Sequence, residues 1–306
     1  MRRFPVRTIA IALVLVLIAA VIAALVAPGG DEGAGAQQLV RAQPHTEPFR
    51  GLGVWVDIYD EPAWAAPGGA VADMADNGVR TLYLQTSNAD RPGSFVFPAG
   101  VEAFVDAAHD QGMAVVAWYL PHLTDLARDR SRVRDALSFE TARGDAFDGF
   151  ALDIESDSVG DPSRRTERLI RLSTQIREEA GEDYPLGAVV PSPLRLRDDL
   201  AYWPGFPWRD LALTYDAILP MTYYTFRAQG PVESIEYVAS SIDEIRARVG
   251  TDQVPIHVIG GLARDASVPE TLAFARAVGH RGAIGGSWYT WSYASDEQWA
   301  ALRRIG

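Results

Sequence analysis

The sequence predicts a single (β/α)8 barrel that is preceded by one N-terminal transmembrane or signal-anchor helix. Eight short apolar runs follow one another at intervals of roughly 30–38 residues, with helix-like stretches between them. Such alternation is typical of a parallel sheet covered by helices. The chain has 306 residues, and without the N-terminal segment its length is close to the roughly 250 residues of one barrel. The eight runs are residues 52–59, 80–87, 113–120, 147–155, 185–192, 216–224, 254–261 and 282–289.

The N-terminal segment has the pattern of a membrane anchor. Residues 1–7 carry three arginines and are expected in the cytoplasm, whereas residues 8–27 are almost wholly apolar and long enough to cross a hydrocarbon core of about 30 Å. A cleaved signal peptide usually has a shorter apolar core of about 7–15 residues. We therefore expect an uncleaved signal-anchor at the cell membrane, with the barrel outside the cytoplasm. Cleavage near Ala27 or Ala36, which would give a secreted protein, stays open.

The remaining chain divides into a linker and one folded domain. Residues 28–48 are rich in glycine, proline and polar side chains without apolar periodicity, which is typical of a flexible tether. Residues 49–306 contain all eight apolar runs and are predicted to form the barrel domain. Several of the predicted helices end at a glycine shortly before the next strand, as helices commonly do: Gly78, Gly112, Gly181 and Gly250.

The composition excludes several kinds of chemistry. The chain contains no cysteine and no lysine, so it cannot use a thiol nucleophile, a disulfide, an iron–sulfur cluster or a lysine Schiff base. The net charge of −12 argues against nucleic acid and against charge-driven binding to anionic lipid, and makes a neutral or cationic partner easier to accommodate. The five histidines lack metal-binding spacing, and His257, within a predicted strand, is more typical of a core histidine. We expect no metal and no cofactor.

The fourth run, residues 147–155, carries the residues around which a site is predicted. Large apolar side chains alternate with small ones along it, and the small-residue side ends in Asp153 and Glu155. In a barrel, this side faces inward, and the two carboxylates would lie at the carboxyl-terminal end of the strand, where barrel enzymes place their chemistry. The alternative is a buried strand that ends in a solvated acidic turn, because Ser156 and Asp157 follow.

Aromatic and polar side chains also collect at the ends of the other predicted strands. Aromatic rings stack on the apolar faces of pyranose rings, while carboxyl groups protonate or attack the glycosidic centre, so this combination predicts a sugar site. Any single one of these aromatic residues is better explained as an ordinary core or loop anchor, and only their concentration at one end of the strands is informative. The candidate substrate-binding residues are Trp55, Asp57, Gln85, Trp118, Tyr119, Met221, Tyr224, Trp288 and Trp291, in addition to Tyr223.

Three short motifs resemble those of the family-18 chitinases. Residues 148–155 (Asp-Gly-Phe-Ala-Leu-Asp-Ile-Glu) resemble the family's fourth-strand signature, which runs Asp-Gly-apolar-Asp-apolar-Asp-apolar-Glu. Residues 221–223 (Met-Thr-Tyr) resemble its sixth-strand Met-x-Tyr, and Trp288 lies where the family keeps a tryptophan beneath the bound sugar. The strand pattern matches over most of the barrel, and a broader group of glycoside hydrolases with the same barrel fits equally well.

The resemblance implies roles for three residues. Glu155 would be the general acid that protonates the leaving oxygen. Asp153 would orient and stabilise the substrate acetamido group that acts as the nucleophile, and Tyr223 would donate a hydrogen bond to the same group. Two carboxyl groups on one strand face also share a proton, which raises one pKa towards the range that a general acid requires.

Two positions depart from the family pattern. Ala151 and Tyr224 stand where the family has aspartates, so the substrate-assisted reaction is in doubt. A conventional mechanism would need a second carboxylate about 5–5.5 Å from Glu155 for retention, or about 6.5–9.5 Å for inversion. Asp57 is the best candidate for this second carboxylate by its position on the first strand.

The sequence thus favours a glycoside hydrolase that acts on an extracytoplasmic polysaccharide or oligosaccharide and is attached to the membrane through its N-terminal helix. The alternative is a non-catalytic glycan-binding barrel at the cell surface, a degenerate glycosidase. A third hypothesis is an unrelated barrel enzyme such as an isomerase or a muramidase-like protein. The glycine pairs at 260–261 and 285–286 could mark a phosphate site, but with no lysine nearby they are more simply places where the chain approaches a sugar or a helix.

Overall fold

Eight parallel strands surround a central core in the computed structural model, which describes residues 38–306. Consecutive strands pair from β1 through β6 and from β7 to β8, and β1 also pairs with β8. Between β6 and β7 the ring is joined by two isolated parallel bridges, Ile218–Ile256 and Met221–Ile259. The predicted (β/α)8 barrel is confirmed. The strands are β1 Gly51–Val56, β2 Thr81–Asn88, β3 Ala114–Leu120, β4 Gly149–Asp153, β5 Leu186–Val190, β6 Ala217–Pro220, β7 His257–Leu262 and β8 Gly285–Tyr289.

Helices follow every strand and cover the outside of the barrel. The helices of residues 38–306 are α1 Glu61–Ala65, α2 Pro67–Asp76, α3 Pro98–Asp110, α4 Leu126–Leu137, α5 Pro162–Ala180, α6 Pro193–Asp198, α7 Trp208–Thr214, α8 Gly230–Val249, α9 Val268–His280 and α10 Asp296–Leu302. Short 3-10 turns occupy Glu47–Phe49, Tyr224–Phe226, Ala263–Asp265 and Trp291–Tyr293.

The helix boundaries follow from local sequence. Ser267 and Glu270 form a reciprocal capping box at the start of α9, which satisfies two backbone N–H groups that have no partner within the helix. The four glycines predicted to end helices all have positive φ: Gly78 at 77°, Gly112 at 68°, Gly181 at 80° and Gly250 at 95°. Only glycine adopts this conformation without steric cost, so these predictions are confirmed.

Two apolar layers hold the barrel together. The larger lies between the strands and the helices, and the smaller fills the inside of the ring. At the amino-terminal side, Phe49 enters the ring and lies against Gly187, where a Cβ atom would come within 3.0 Å of the phenyl ring. Full burial of such a ring contributes about 1.5–3 kcal/mol. The interior of the barrel is therefore a packed core, which leaves the carboxyl-terminal mouth as the place where a ligand can enter.

The described part of the predicted linker is attached to the barrel. Arg41 donates from Nε to Oδ1 of Asp216 at 2.9 Å, and Asp216 also accepts from Nη2 of Arg177 at 2.6 Å. The Asp216 side chain is fully buried, and a buried carboxylate is costly unless it is paired. The guanidinium groups of Arg41 and Arg177 compensate its charge. Residues 39–48 therefore belong to the folded unit, whereas the sequence assigned them to a flexible tether.

No helix within residues 38–306 is long and apolar enough to cross a bilayer. The predicted basic segment (1–7), the predicted membrane anchor (8–27) and residues 28–37 of the predicted linker lie outside the described residues.

Candidate functional site

Strand β4 delivers two carboxyl groups to the mouth of the barrel. Gly149 and Ala151 are buried in the strand and take little space inside the ring. The strand hydrogen bonding continues past its end, since the Ile154 amide donates to the Val189 carbonyl oxygen at 2.8 Å. Glu155 therefore leaves the strand two residues after Asp153, on the same face.

Asp153 is held in a nearly closed environment. Its side chain is only 2% exposed. Its Oδ2 atom accepts a hydrogen bond of 2.9 Å from Nε1 of Trp118, while Oδ1 has no partner among the described residues. Burial raises the pKa of Asp153 well above its usual range, the charge of Glu155 raises it further, and the Trp118 hydrogen bond acts in the opposite direction. This carboxyl group therefore tends to hold a proton.

Glu155 lies at the border between the core and an open cleft of about 240 Å³. Its backbone is fixed by the Tyr202 hydroxyl, which donates to the Glu155 carbonyl oxygen at 2.6 Å. Burial raises the pKa of Glu155, and the positive charge of Arg195 opposes the increase. A carboxyl group with a raised pKa beside an accessible cleft is what a general acid requires.

Two tyrosines and Asp57 stand on the other side of the mouth. Tyr289 donates from its hydroxyl to Oδ2 of Asp57 at 2.7 Å, and its ring lies 6.0 Å from that of Tyr223, centre to centre. Burial raises the pKa of Tyr223, and Tyr289, Asp153, Glu155 and Asp57 raise it further. Tyr223 therefore keeps its proton and can donate a hydrogen bond to a ligand that lies among the three carboxylates.

The floor of the mouth is built from buried aromatic side chains. Trp55 stacks on Tyr83 with 4.2 Å between ring centres and meets Trp118 edge-on at 5.0 Å. Its Nε1 atom donates to Oγ of Ser287 at 2.7 Å. Gln85 accepts from the Ile58 amide at 3.1 Å. Trp55 and Gln85, both predicted to bind substrate, thus support the mouth from below rather than line it.

Met221 lines the cleft together with Glu155 and Tyr223, as predicted for this part of the site. Trp118 also belongs to the mouth, because it donates to Asp153 and its ring lies 6.4 Å from that of Tyr289, centre to centre.

Tyr119 and Tyr224 do not belong to the mouth, and their prediction as substrate-binding residues requires correction. The Tyr119 hydroxyl donates to Oδ1 of Asp129 in α4 at 2.7 Å. Tyr224 is fully buried and packs on Phe274 of α9. Each follows a residue that faces the mouth, and adjacent positions on an extended chain point to opposite sides. Both side chains therefore stabilise the contact between strands and helices.

Trp288 and Trp291 require the same correction. Trp288 is fully buried and packs on Phe274 with 5.6 Å between ring centres, on the helix side of β8. Trp291 packs on Trp299 of α10 at 5.7 Å. Tyr289 occupies the position at the mouth that the sequence assigned to Trp288, and its peptide bond to Thr290 is cis. Because Ser287 faces inward and accepts from Trp55, alternation along β8 places Tyr289 on the inward side and Trp288 on the helix side.

The sequence missed the side chains that line the outer part of the cleft. They come from the loops and the helices that follow β5 and β6, where the apolar pattern of the strands does not indicate which residues face the site. Besides the predicted residues, the lining consists of Pro191, Ser192, Arg195, Tyr202, Phe226, Arg227 and Tyr237.

His257 lies inside the barrel, away from these carboxyl groups. Its Nδ1 atom donates to the Phe49 carbonyl oxygen at 2.8 Å. Burial lowers the pKa of His257 to about 4, so the imidazole is neutral at physiological pH. This placement agrees with the prediction of a core histidine. Within residues 38–306, no group of three or more His, Asp or Glu side chains is arranged to hold a metal ion.

No protein-family model matches the chain, and no curated protein matches it in sequence. Solved structures with the same fold are numerous. The endo-β-1,4-mannanase of Thermotoga petrophila has a TM-score of 0.65 at 11% identity, with 86% of this chain and 77% of that chain covered. The family GH18 chitinase of Cycas revoluta, in a complex with allosamidin, has a TM-score of 0.59 at 13% identity, with 83% and 98% covered. The spore cortex-lytic enzyme SleL of Bacillus cereus has a TM-score of 0.63 at 10% identity, with 84% and 74% covered. The chain therefore has the (β/α)8 barrel fold that is found in family-18 chitinases and other glycoside hydrolases.

Proposed function

We propose that the protein is a glycoside hydrolase that cleaves a polysaccharide or oligosaccharide, with Glu155 as the general acid. The observation that carries this proposal is the pair of Asp153 and Glu155 at the carboxyl-terminal mouth of the barrel. Burial raises the pKa of both groups, and only Glu155 borders the open cleft. A buried acid pair that merely stabilised the fold would be expected to have cationic partners, whereas Asp153 has a tryptophan N–H and one unpaired oxygen.

The proposed reaction begins with proton transfer from Glu155 to the glycosidic oxygen as the bond to the anomeric carbon breaks. The positive charge that develops on the sugar is stabilised by the oxygen of a substrate acetamido group, which Asp153 and Tyr223 would position. Water then attacks the anomeric carbon and gives its proton to the Glu155 carboxylate, which restores the acid. Substrates without an acetamido group would need a protein carboxylate instead, and Asp57 is the candidate because it also faces Tyr223.

A sugar ring would rest against the aromatic wall of this mouth. Trp118, Tyr223 and Tyr289 present neighbouring rings, with 6.4 Å and 6.0 Å between successive centres. Aromatic faces pack against the C–H faces of sugars, and the Tyr223 hydroxyl supplies a polar contact. Because the structural neighbours include an endo-β-1,4-mannanase and a chitinase, β-linked glycans are the first substrates to assay.

The test compares Glu155→Gln with Asp157→Asn on a panel of β-linked glycans. Both changes remove one carboxylate from the same loop, but Asp157 is exposed and lies outside the cleft. Loss of a positioned general acid should reduce kcat by about 10²–10⁴-fold, while Asp157→Asn should retain parental kcat. If Glu155→Gln hydrolyses the glycan as fast as the parent, Glu155 is not the acid.

A second candidate function is glycan binding without turnover. It is favoured by Ala151, which stands where family-18 chitinases have the innermost aspartate, and by the Asp153 Oδ1 atom that has no partner among the described residues. Calorimetric binding of a glycan by the parent protein, together with the absence of reducing ends after prolonged incubation, would support this function and exclude hydrolysis.

We also propose that the barrel lies outside the cytoplasm, attached to the cell membrane through residues 8–27 or secreted if this segment is cleaved. The apolar length of residues 8–27 and the preceding arginines support this orientation. Alkaline phosphatase fused after residue 306 should be active in cells. An inactive fusion with an intact chain would contradict the proposal.

A further inference from the structure

The outer part of the cleft is cationic, although the protein as a whole is acidic. Arg195 comes from α6, after β5, and Arg227 follows the 3-10 turn after β6, so the two guanidinium groups reach the same cleft from the segments that follow two adjacent strands. Glu155 contributes the acid at the inner end of this cleft. Although the net charge of the protein is −12, positive side chains therefore flank the proposed general acid in this cleft.

Within residues 38–306, neither of these two arginines forms a close ion pair with a carboxylate. Among residues 38–306, no carboxylate lies within salt-bridge distance of Arg227, which is exposed to solvent. Arg195 reaches only Asp199, at 3.9 Å, and otherwise lies on the ring of Tyr202 with its guanidinium carbon 3.7 Å from the ring centre. By contrast, Arg177 is buried against Asp216 at 2.6 Å. Arg195 and Arg227 keep N–H donors that can bind an external anion.

The rest of the cleft suits a sugar that carries such an anion. Phe226, which is 62% exposed, and Met221 supply apolar surface. The hydroxyl groups of Ser192, which precedes α6, and Tyr237 in α8 are hydrogen-bonded to each other at 2.7 Å and supply polar contacts in the cleft. An apolar surface beside hydroxyl groups and guanidinium groups complements an acidic saccharide better than a neutral one.

We propose that this cleft selects a glycan that carries a carboxylate, with Arg227 and Arg195 binding the carboxylate of the sugar unit next to the scissile bond. This inference rests on the proposed glycoside hydrolase function and specifies its substrate class. Guanidinium groups bind carboxylates through paired N–H donors, and binding in a cleft is less screened than at an open surface. An acidic polymer approaching a protein of net charge −12 would otherwise be repelled, so local cationic groups are needed for specificity.

The experiment uses one saccharide backbone in two charge states. The tetrasaccharide of alternating N-acetylglucosamine and N-acetylmuramic acid carries lactyl carboxylates, and its methyl ester keeps the same backbone but replaces each negative charge by a neutral ester group. We measure kcat/KM for both and express specificity as the ratio of free acid to ester. Hydrogen bonds to charged groups predict a parental ratio of about 10–100. A hyaluronan tetrasaccharide, which is β-linked and alternates N-acetylglucosamine with a uronate, and chitotetraose are assayed in parallel, so that a uronate can be distinguished from a lactyl ether as the source of the carboxylate.

Arg227→Gln removes the proposed contact at an exposed position, so folding should be retained. In this variant the ratio of free acid to ester should fall towards 1. Arg171→Gln is the matched control, because Arg171 is exposed on α5, far in sequence from both loops, and lies outside the cleft. It makes the same change in net charge, and its ratio should equal the parental one.

The outcomes separate this inference from the function on which it rests. Hydrolysis of chitotetraose and the ester as efficiently as of the free acids would overturn the carboxylate specificity and leave the glycoside hydrolase proposal standing. An Arg227→Gln ratio equal to that of the parent would overturn the role of the cationic cleft. If no saccharide is cleaved or bound, the proposed function fails and the substrate class fails with it.

Discussion

The hydrogen bond from Trp118 to Asp153 allows a direct test of the electrostatics of the mouth. Trp118→Phe keeps an aromatic ring in the wall but removes the Nε1–H group that lies 2.9 Å from Oδ2. Asp153 would then lose its one side-chain hydrogen-bond partner among the described residues, since Oδ1 already has none. The Asp153 carboxyl would become harder to ionise, because the lost bond stabilises the charged form.

The size of the effect depends on pH. A hydrogen bond to a charged group contributes about 1.5–3 kcal/mol to stability and one to a neutral group about 0.5–1.5 kcal/mol. The folded-state pKa of Asp153 is raised, so the stability associated with this group is complete below its unfolded pKa and is lost as pH rises through the folded pKa. Without the Trp118 hydrogen bond, the loss of stability that accompanies ionisation of Asp153 is larger. For a domain of this size, about 2–4 °C per kcal/mol predicts a Tm decrease of about 3–12 °C where Asp153 is ionised and about 1–6 °C where it is protonated.

The assay is thermal unfolding of parent and variant at pH 5 and pH 9. Trp203→Phe is the matched control, because Trp203 is also buried and its Nε1 atom donates at 2.9 Å to Thr166, whose hydroxyl does not titrate. The control measures the pH-independent loss of ring volume and of a neutral hydrogen bond. If the Tm decrease of Trp118→Phe is the same at both pH values, or follows that of Trp203→Phe, the tryptophan does not stabilise an ionised Asp153.

Two further predictions concern the scaffold. Asp216→Ala removes the buried acceptor shared by two guanidinium groups and should lower the free energy of unfolding by about 3–5 kcal/mol in urea titrations. Asp198→Ala, which breaks an exposed ion pair, should change the midpoint little, and equal effects of the two changes would contradict the assigned burial. Gly285→Ala places a Cβ atom 2.5 Å from His257 and should cost about 1–3 kcal/mol or more, whereas Gly160→Ala meets nothing within 4 Å and should leave Tm unchanged. A folded Gly285→Ala protein with parental Tm would refute the close packing.

The sequence predicted the barrel and the inward face of β4 because these depend on strong, local patterns. Eight apolar runs separated by helix-length segments specify the architecture. In β4, small residues on one side and large ones on the other determine which side faces inward, and this fixes Asp153 and Glu155 at the mouth.

The other strands gave a weaker signal because both of their faces are buried. Trp118 and Tyr119 are consecutive aromatic residues, one facing the mouth and one facing a helix, and apolarity alone does not distinguish them. The same ambiguity led to Trp288 in place of Tyr289. The rule that neighbouring positions alternate would have limited each pair to one site residue, although it does not say which.

The cationic side of the cleft could not be predicted from periodicity or net charge. Arg195 lies in α6 after β5 and Arg227 lies in the segment after β6, and their proximity depends on the pairing of these two strands. A total charge of −12 carries no information about such a local concentration.

The bond between Tyr289 and Asp57 joins positions 232 residues apart. During translation, the ribosome finishes the first strand long before it starts the eighth. The nascent polypeptide therefore contains Asp153 and Glu155 before Tyr289 has been synthesised. The mouth becomes whole when β8 docks beside β1. The complete mouth therefore forms only when synthesis is nearly over, and a shortened product lacking β8 would keep Asp153, Glu155 and Tyr223 but lack the Tyr289 partner of Asp57.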